Sequence, residues 1–518
     1  MSLRTRREHL HDVGRGMFLA TLGGGLVADL GLGTAAAADA PARLTFGDLD
    51  PLVDFFHETP ADKLLPKVVD KLKAGTELKT LVAAAALANA RAFGGEDYVG
   101  FHTLMALSPA YHIAVEEPAD RRPLAVLKVL YRNAARLTEV GGAKAEVLRP
   151  VAAMTKGATG ATLRDAARKA DLAASEAALA GLAADPTAAL DGLMEMVDDA
   201  TEVHRVVMVS RSWDLLEFVG KERASALLRQ SVHYCVKAEG QGNYGAHYKE
   251  VRALLPQLLD AHKLPGKTAG TRAGDDAWVE ALADTIFKSK PADAAGAVAA
   301  ALADGFAPDA ISQAIAVAAN QLVLRDEGRI AGQTAANKPL GSCHGDSIGV
   351  HACDSANAWR AIARAGGART AATSLILAAY QVATDRGNRG GKFLEWKPYP
   401  TAEHLEAARG VLAEALLKEL DGAIREKRQD RAAALAHRIG AAKSADAVKE
   451  AFAVLRGYAI SEDGALHAEK FYRTATEEYA ALRPAFRGRQ LVALARVTAS
   501  AFGQPAPGVK EARAILKV

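Results

Sequence analysis

The chain has 518 residues, a formal net charge of +3, 50% hydrophobic residues and 24% charged residues. This length suggests roughly two to four domains with large buried cores. Because the net charge is small and basic residues are interspersed with acidic ones, nucleic acid is not an expected partner. Abundant alanine and only 6% aromatic residues favour helices over a β-sandwich. Three cysteines, Cys235, Cys343 and Cys353, do not make a disulfide framework.

Residues 1–40 resemble a twin-arginine export signal. A basic segment with the arginine pair Arg6 and Arg7 is followed by a Gly- and Ala-rich stretch and by an A-x-A-like end near Ala38. A disordered basic leader and a membrane anchor are the alternatives, although Asp29 and the glycines make a poor membrane span. The twin-arginine route exports proteins that have already folded, commonly with a cofactor installed. The resemblance therefore implies a periplasmic or other extracytoplasmic protein with no integral membrane span in the mature chain.

From residue 42 onward, one helical pattern follows another. Apolar residues recur at helical spacing, strand signals are almost absent, and N-cap residues such as Thr76, Thr401 and Ser444 open several of the patterns. A Gly/Thr-rich segment at 265–274 interrupts them near the middle of the chain. The prediction is an all-α protein, a helical array or bundle.

Two Gly-x-His segments suggest that this helical array is internally duplicated. Superposing His102 in EDYVGFHTLMALSPAYH on His351 in GDSIGVHACDSANAWRA also superposes Gly100 on Gly349. The tyrosine that follows, in LAVLKVLYRNAARL and in AATSLILAAYQVAT, lies at the same distance from the histidine in both copies. We therefore predict two similar halves with a site between or within them. The predicted boundaries are 42–264 for the first half, 265–274 for the linker and 275–518 for the second half.

The second copy contains a dense group of chemistry-bearing side chains, GSCHGDSIGVHACDSANAW. Its glycines place His344 in a loop, whereas His351 and Asp354 share one face of the helix that follows. If the loop folds back, two imidazoles and a carboxylate meet, and this set suits iron(II) with open positions or zinc with a bound water. We therefore predict a transition-metal site, with iron favoured over zinc or copper. The predicted ligands are His344, His351, Asp354 and His102.

Two further residues are predicted to take part in the chemistry. Asp346 is expected to orient a ligand imidazole or to accept a proton, and His112 is expected to act beside the metal. The alternative is that the glycine turns and the Ser/Asp-rich helix start serve for capping alone, with His351 a buried structural histidine. The first copy has Met105 where the second has Asp354, which favours one site between the halves over one site in each.

Other histidines are weaker candidates. Glu195, Asp199 and Glu202 follow one another at helical spacing before His204, and we interpret the three carboxylates as a solvated acidic face. His467 shares a helix face with Lys470, and an ordinary surface role is an equal alternative for this pair.

The segments GFHTLMALSPAYHIA and LAVLKVLYRNAA, with their counterparts in the second half, resemble the questin oxidase-like family. The similar part covers about seventy of the 518 residues. In that family, helices rich in histidine and aromatic residues line an oxidative site. The resemblance implies an all-helical oxidoreductase and carries over no single catalytic residue.

Together these patterns predict an exported, metal-dependent oxidoreductase or oxygenase that acts on a small organic substrate in a helix-lined pocket. The chain has no G-x-S-x-G, P-loop, HExxH or CxxCH pattern and no dinucleotide-binding G-x-G-x-x-G after a strand. Two other classes stay open: a non-catalytic helical binding scaffold, and a hydrolase or lyase that uses His/Asp acid–base chemistry without a metal.

Overall fold

The structure is a computed structural model that describes residues 42–241, 245–442 and 444–518, apart from the side chains at 143 and 245–249. The predicted export signal, residues 1–40, lies outside this range, and so does the side chain of His247.

The described chain is built from α-helices joined by loops of different lengths and by 3₁₀ turns. The first eleven helices are α1 (Asp50–Glu58), α2 (Ala61–Lys73), α3 (Leu78–Phe93), α4 (Tyr98–Glu116), α5 (Leu124–Val140), α6 (Gly160–Arg168), α7 (Leu172–Leu182), α8 (Pro186–Val197), α9 (Val203–Val219), α10 (Ala224–Gly240) and α11 (Gly245–Ala261). The remaining helices are α12 (Asp276–Lys288), α13 (Pro291–Ala303), α14 (Pro308–Arg325), α15 (Ile348–Ala365), α16 (Ala368–Gly387), α17 (Ala402–Ala408), α18 (Leu416–Arg425), α19 (Gln429–Ala441), α20 (Ala445–Ser461), α21 (His467–Ala481), α22 (Pro484–Ala501) and α23 (Val509–Leu516). Among the described residues there is no strand, only isolated bridges, and the all-α prediction is confirmed.

Local capping explains where several of these helices begin. The side chains of Asp97 and Ser347 accept hydrogen bonds from backbone N–H groups in the first turns of α4 and α15. Thr401 and Ser444 do the same for α17 and α20, so both predicted starts are confirmed. Helix α3 begins two residues after the start predicted at Thr76.

Four helices, α4, α9, α15 and α21, surround the candidate site. Helix α4 packs against α9 and α21, and α15 packs against the same two helices, so the four close into a ring. Helix α4 is uncharged and largely apolar on every side between Tyr98 and Val115, which matches its burial in the middle of the protein. The ring supplies four inward faces on which polar side chains from distant parts of the sequence meet.

Two glycines set how closely the ring helices approach their neighbours. A Cβ at Gly100 in α4 would lie 2.5 Å from the ring of Phe93, and a Cβ at Gly349 in α15 would lie 2.5 Å from the backbone nitrogen of Val323 in α14. Any side chain at either position would push the helix outward. The two glycines therefore hold α4 and α15 at the depth that the candidate site requires.

Residues 44–518 form one compact unit. Helices from the two predicted halves pack against each other within it, α4 against α21 and α9 against α15. The internal duplication itself stays a prediction. Among the described helices, none combines the length and the apolar composition needed to cross a membrane.

Candidate functional site

Four histidines, one from each helix of the ring, meet within the first two turns of their helices. They are His102, His204, His351 and His467, called the imidazole cluster below. The ring centroids are 4.9 Å apart for His102–His204, 5.2 Å for His102–His467, 5.4 Å for His351–His467 and 5.8 Å for His204–His351. Each histidine thus contacts two others. Two of the predicted ligands, His102 and His351, belong to this one site.

Hydrogen bonds at Nδ1 orient two of the four imidazoles. His102 Nδ1 lies 2.7 Å from the carbonyl oxygen of Tyr98, and His204 Nδ1 lies 2.7 Å from Glu202 Oε1. Because these oxygens accept, Nδ1 carries the hydrogen in both rings, and Nε2 has a free lone pair. Both Nε2 atoms are buried and have no hydrogen-bond partner in the part of the chain that the structure describes.

Glu202 is both the N-cap of α9 and the partner of His204. Its Oε2 accepts hydrogen bonds from Tyr234 Oη at 2.8 Å and from a backbone N–H of α9 at 3.0 Å. Burial raises the pKa of Glu202, but its interaction with the adjacent His204 and the hydrogen bonds from His204 and Tyr234 lower it overall to about 2. The interpretation of a solvated acidic face is therefore wrong for Glu202, and also for Asp199, which is buried and forms an ion pair with Arg168.

A strained turn positions His467, the first residue of α21. Ala465 and Leu466 have φ values of 50° and 64°, in the left-handed region that residues with a Cβ disfavour. The Ala465 carbonyl oxygen lies 3.0 Å from His467 Nδ1 and accepts its hydrogen. Gly345 packs against this turn, and a Cβ there would lie 2.1 Å from the Cβ of His467. Position 345 must therefore be glycine if His467 is to keep its place.

His351 and His467 make the direct nitrogen–nitrogen contact of the cluster. Their Nε2 atoms are 3.3 Å apart. Because Nδ1 of His467 carries the hydrogen, its Nε2 accepts, and His351 Nε2 is the donor in the metal-free protein. This hydrogen bond satisfies the Nε2 atoms of His351 and His467. The Nε2 atoms of His102 and His204 remain buried acceptors without a partner among the described residues, and leaving them unpaired costs free energy.

Burial keeps three histidines of the imidazole cluster, His102, His351 and His467, neutral. It lowers the pKa of His351 to about 3 and brings the pKa values of His102 and His467 well below the ordinary value for histidine. The nearby ammonium group of Lys470 and the neighbouring histidines act in the same direction. A neutral imidazole with a free Nε2 lone pair is the form that binds a metal ion.

Asp354 and Lys470 lie one helical turn beyond the cluster, on α15 and α21. Asp354 Oδ1 accepts a hydrogen bond from Thr474 Oγ1 at 2.7 Å. Burial raises the pKa of Asp354, and the positive charge of Lys470 opposes this shift. Asp354 was predicted to be a ligand beside His351. The structure places it next to Lys470 and Thr474 instead, because one full turn of α15 separates the two side chains.

The loop that precedes α15 does not bring its polar side chains over His351. Asp346 forms ion pairs with Arg329 and Lys338, each at 2.6 Å. Burial raises the pKa of Asp346, but these two cations lower it overall, well below its usual value. His344 is buried and its Nε2 has no hydrogen-bond partner among the described residues, yet no ring contact in this part of the chain joins it to the imidazole cluster.

His112 and the two cysteines of the quoted segment also lie apart from the cluster. The ring of His112 contacts Phe218, and burial lowers its pKa to about 4. It is about 15 Å further along α4 than His102, judged from the helical rise. Cys343 and Cys353 are free and buried, and burial raises the pKa of both thiols, so neither is a thiolate at neutral pH.

The predicted ligand set omits His204 and His467. Each lies in the first turn of its helix, just as His102 and His351 lie within the first two turns of theirs. Superposing the starts of α9 and α21 brings these two histidines to within one residue of each other, but the starts are known only from the structure. A gapless sequence match that superposes Gly220 on Gly488 aligns His204 with Tyr472 instead.

Two cavities border the ring. One has a volume of about 30 Å³, room for a water-sized molecule, and lies beside His467 and Gly345 among apolar side chains. The other has a volume of about 570 Å³ and opens further along α15 and α21. The polar and charged residues that line it are Glu116, Asn357, Arg360, Arg364, Arg473, Thr476 and Glu477.

Within the described ranges, no group of three or more His, Cys, Asp or Glu side chains is placed so that it could hold a metal ion. The 3.3 Å separation of the His351 and His467 Nε2 atoms matches the spacing of two ligands on one ion, since tetrahedral bonds of 2.0–2.1 Å put ligand nitrogens about 3.3 Å apart. In comparisons with protein-family models, with curated proteins and with solved structures, the chain finds no match.

Proposed function

We propose that the imidazole cluster binds one divalent transition-metal ion and that the chain is a metal-dependent oxidoreductase acting on a small organic substrate. One observation carries this proposal: four imidazoles from four helices contact one another, and two buried Nε2 atoms, of His102 and His204, have no hydrogen-bond partner among the described residues. A cation that accepts their lone pairs removes the cost of leaving them unpaired.

The hydrogen bonds around the cluster support the same proposal. Ligand histidines in metal sites donate their other N–H group to a carboxylate or a backbone carbonyl, which sets the tautomer and the ring orientation. Here Glu202 accepts from His204, and the carbonyls of Tyr98 and Ala465 accept from His102 and His467.

The chemistry of the ligand set limits which ion fits. Imidazole nitrogen suits iron, copper, nickel and zinc, whereas magnesium and calcium prefer oxygen. We place iron first, and propose an oxidative reaction, because the Gly-x-His segments resemble the questin oxidase-like family. A bound metal would supply redox or Lewis-acid chemistry. The protein residues would orient the ligands, exclude water on the apolar side of the ring and bind the substrate.

A specific contact favours a second candidate, a non-catalytic helical scaffold. In that case the hydrogen bond between His351 and His467, at 3.3 Å, would hold the ring helices together without a metal. Export through the twin-arginine route is also proposed, on the leader sequence alone.

The test is the metal content of the purified chain. We expect about one equivalent of iron, copper, nickel or zinc in the wild type, measured by elemental analysis. His204→Ala combined with His467→Ala should lose at least about 90% of it, as expected when two of four ligands are removed. His437→Ala, which changes an exposed histidine, is the matched control and should retain the metal.

Folding is followed in parallel by circular dichroism, so that loss of metal is not confused with loss of structure. A wild-type chain that contains no metal and binds none on titration, or a double variant that keeps its metal, would overturn the metal centre and leave the scaffold.

A further inference from the structure

The side chain of Lys470 is a buried cation for which the described residues provide no partner. Lys470 is 3% exposed, and its ammonium group forms no hydrogen bond or ion pair with any residue that the structure describes. Lys128 is also buried, but it has partners. Its Nζ lies 2.9 Å from a Glu469 carboxylate oxygen and donates a hydrogen bond to the carbonyl of Ala459 at 2.8 Å. Burying a charge without such partners is costly.

Lys470 lies next to the imidazole cluster. It is three residues after His467 in α21, so the two side chains lie on the same face of the helix, directed into the ring. Its positive charge acts on His102, His351 and His467, which come from three different helices. Because α21 packs against both α4 and α15, the buried Lys470 side chain lies in the space that these three helices share.

The charges around this space are unbalanced. His102, His351 and His467 are neutral, and the N-terminal ends of four helices, where backbone N–H groups and the helix dipoles carry partial positive charge, meet at the cluster. Asp354 is the carboxylate with the largest effect on Lys470, and its Oδ1 is already bound by Thr474. A divalent ion at the cluster would add two further positive charges. A bound anion would compensate the positive charge of the metal ion, of the helix N-terminal ends and of Lys470 together.

We propose that Lys470 binds a small monoanion beside the imidazole cluster, the carboxylate group of the substrate, so that the substrate is a small organic acid. This inference rests on the proposed metal centre and names the substrate class for it. Carboxylate oxygens accept hydrogen bonds from an ammonium group and also coordinate metal ions, so a single group satisfies both neighbours.

The lining of the 570 Å³ cavity agrees with an anionic ligand. Three arginines and two glutamates line it, a net positive set, at the end of α15 and α21 that lies beyond Asp354 and Lys470. Along α21, residues 467, 470, 474 and 477 follow one another at helical spacing. The same face of the helix thus carries the cluster, the unpaired ammonium group and the edge of the cavity.

The experiment uses the full chain loaded with Co²⁺, whose visible absorption reports its ligands, and titrates it with formate. In the wild type we expect a saturable change in the cobalt spectrum. Lys470→Met should bind the same amount of Co²⁺ but bind formate about 10-fold to 100-fold more weakly, the effect of losing one charge-assisted hydrogen bond. Lys449→Met, a change at an exposed lysine, is the control and should match the wild type.

Lys470→Arg keeps a cation at this position and should retain most of the formate affinity, which separates the role of the charge from that of packing. Unchanged formate affinity in cobalt-loaded Lys470→Met overturns this inference and leaves the metal centre standing. If the wild type binds no Co²⁺, the proposed function fails, and the inference fails with it.

Discussion

His233 and the imidazole cluster represent two ways in which this protein buries histidine. Both ring nitrogens of His233 contact carboxylates, Glu96 at 2.8 Å and Glu176 at 2.7 Å, and Arg229 binds Glu176 as well. Burial lowers the pKa of His233, but the two carboxylates raise it overall above its ordinary value. His233 is thus a paired cation. In the cluster, by contrast, the Nε2 atoms of His102 and His204 are buried and have no hydrogen-bond partner among the described residues. The two sites therefore differ in whether the fold itself satisfies the ring nitrogens.

The largest expected contrast is in the stability of the metal-free protein. His233→Leu leaves buried Glu176 without one of its two cationic partners, and we expect the free energy of unfolding to fall by about 3 kcal/mol. His102→Leu removes one hydrogen bond, from Nδ1 to the Tyr98 carbonyl, and a buried Nε2 that has no partner among the described residues, so the loss should be only about 1 kcal/mol. Urea denaturation with EDTA present measures both. Equal losses would show that the cluster is as structural as His233.

With the metal present, a variant that has lost the imidazole cluster should be less stable than His233→Leu, which keeps the cluster. At a free metal concentration of about 100 times Kd, the wild type should gain about 2.7 kcal/mol of stability, and EDTA should remove the gain. His233→Leu should show the same gain from its lower starting value. The His204→Ala, His467→Ala double variant should show none. Thermal unfolding with and without the ion provides the measurement, and a gain in the double variant would argue against the cluster as the binding site.

The pH dependence should differ in sign between His233 and a neutral buried histidine. The raised pKa of His233 means that its contribution is fully present below about pH 6.5, the unfolded value, and is lost as the pH rises through the folded pKa. The stability difference between the wild type and His233→Gln should therefore be larger at pH 6 than at pH 9. Denaturation curves at the two values test this, and a difference that grows with pH would contradict the assignment.

His112 provides the opposite case outside the cluster. Its pKa is lowered to about 4 by burial, so the unfolded chain binds a proton more readily between about pH 6.5 and pH 4. Relative to His112→Gln, the wild type should lose up to about 1.4 kcal/mol of stability per pH unit over that interval, and less where solvent screens the ring. Acid titration of both proteins gives the comparison. Parallel curves would mean that the pKa of His112 is the same in the folded and the unfolded chain.

The smallest expected effect separates the ligands predicted from the sequence from the four histidines proposed as ligands here. His344→Gln should leave the metal content unchanged and alter the free energy of unfolding by less than about 1 kcal/mol. Loss of the metal in this variant would restore His344 as a ligand and require the loop before α15 to move over His351.

The fold class and two members of the cluster were predictable because they depend on local or repeated patterns. Helical spacing and capping residues such as Thr401 and Ser444 are read over a few positions, and the Gly-x-His segments single out His102 and His351. His204 and His467 were not predictable in the same way. Their role depends on how α9 and α21 pack into the ring, and no spacing along the sequence encodes that contact.

The error at Asp354 and His344 has a physical origin as well. Both are conspicuous because they lie near His351 in sequence. Asp354 lies one turn of α15 beyond His351. His344 lies in the loop in which Asp346 forms its two ion pairs, away from the cluster. The segment GSCHGDSIGV contributes to the cluster in a way that its composition does not predict. Because Gly345 has no Cβ, His467 can pack directly against it.

The order of the four histidines along the chain has a consequence for biosynthesis. His102 leaves the ribosome first and His467 nearly last, so a nascent chain that still lacks α21 has at most three of the four imidazoles and no Lys470. High affinity for an ion would arise only once the last part of the fold has closed the ring. Incomplete or prematurely terminated chains would then compete poorly for scarce metal, and the ion would be taken up by finished molecules.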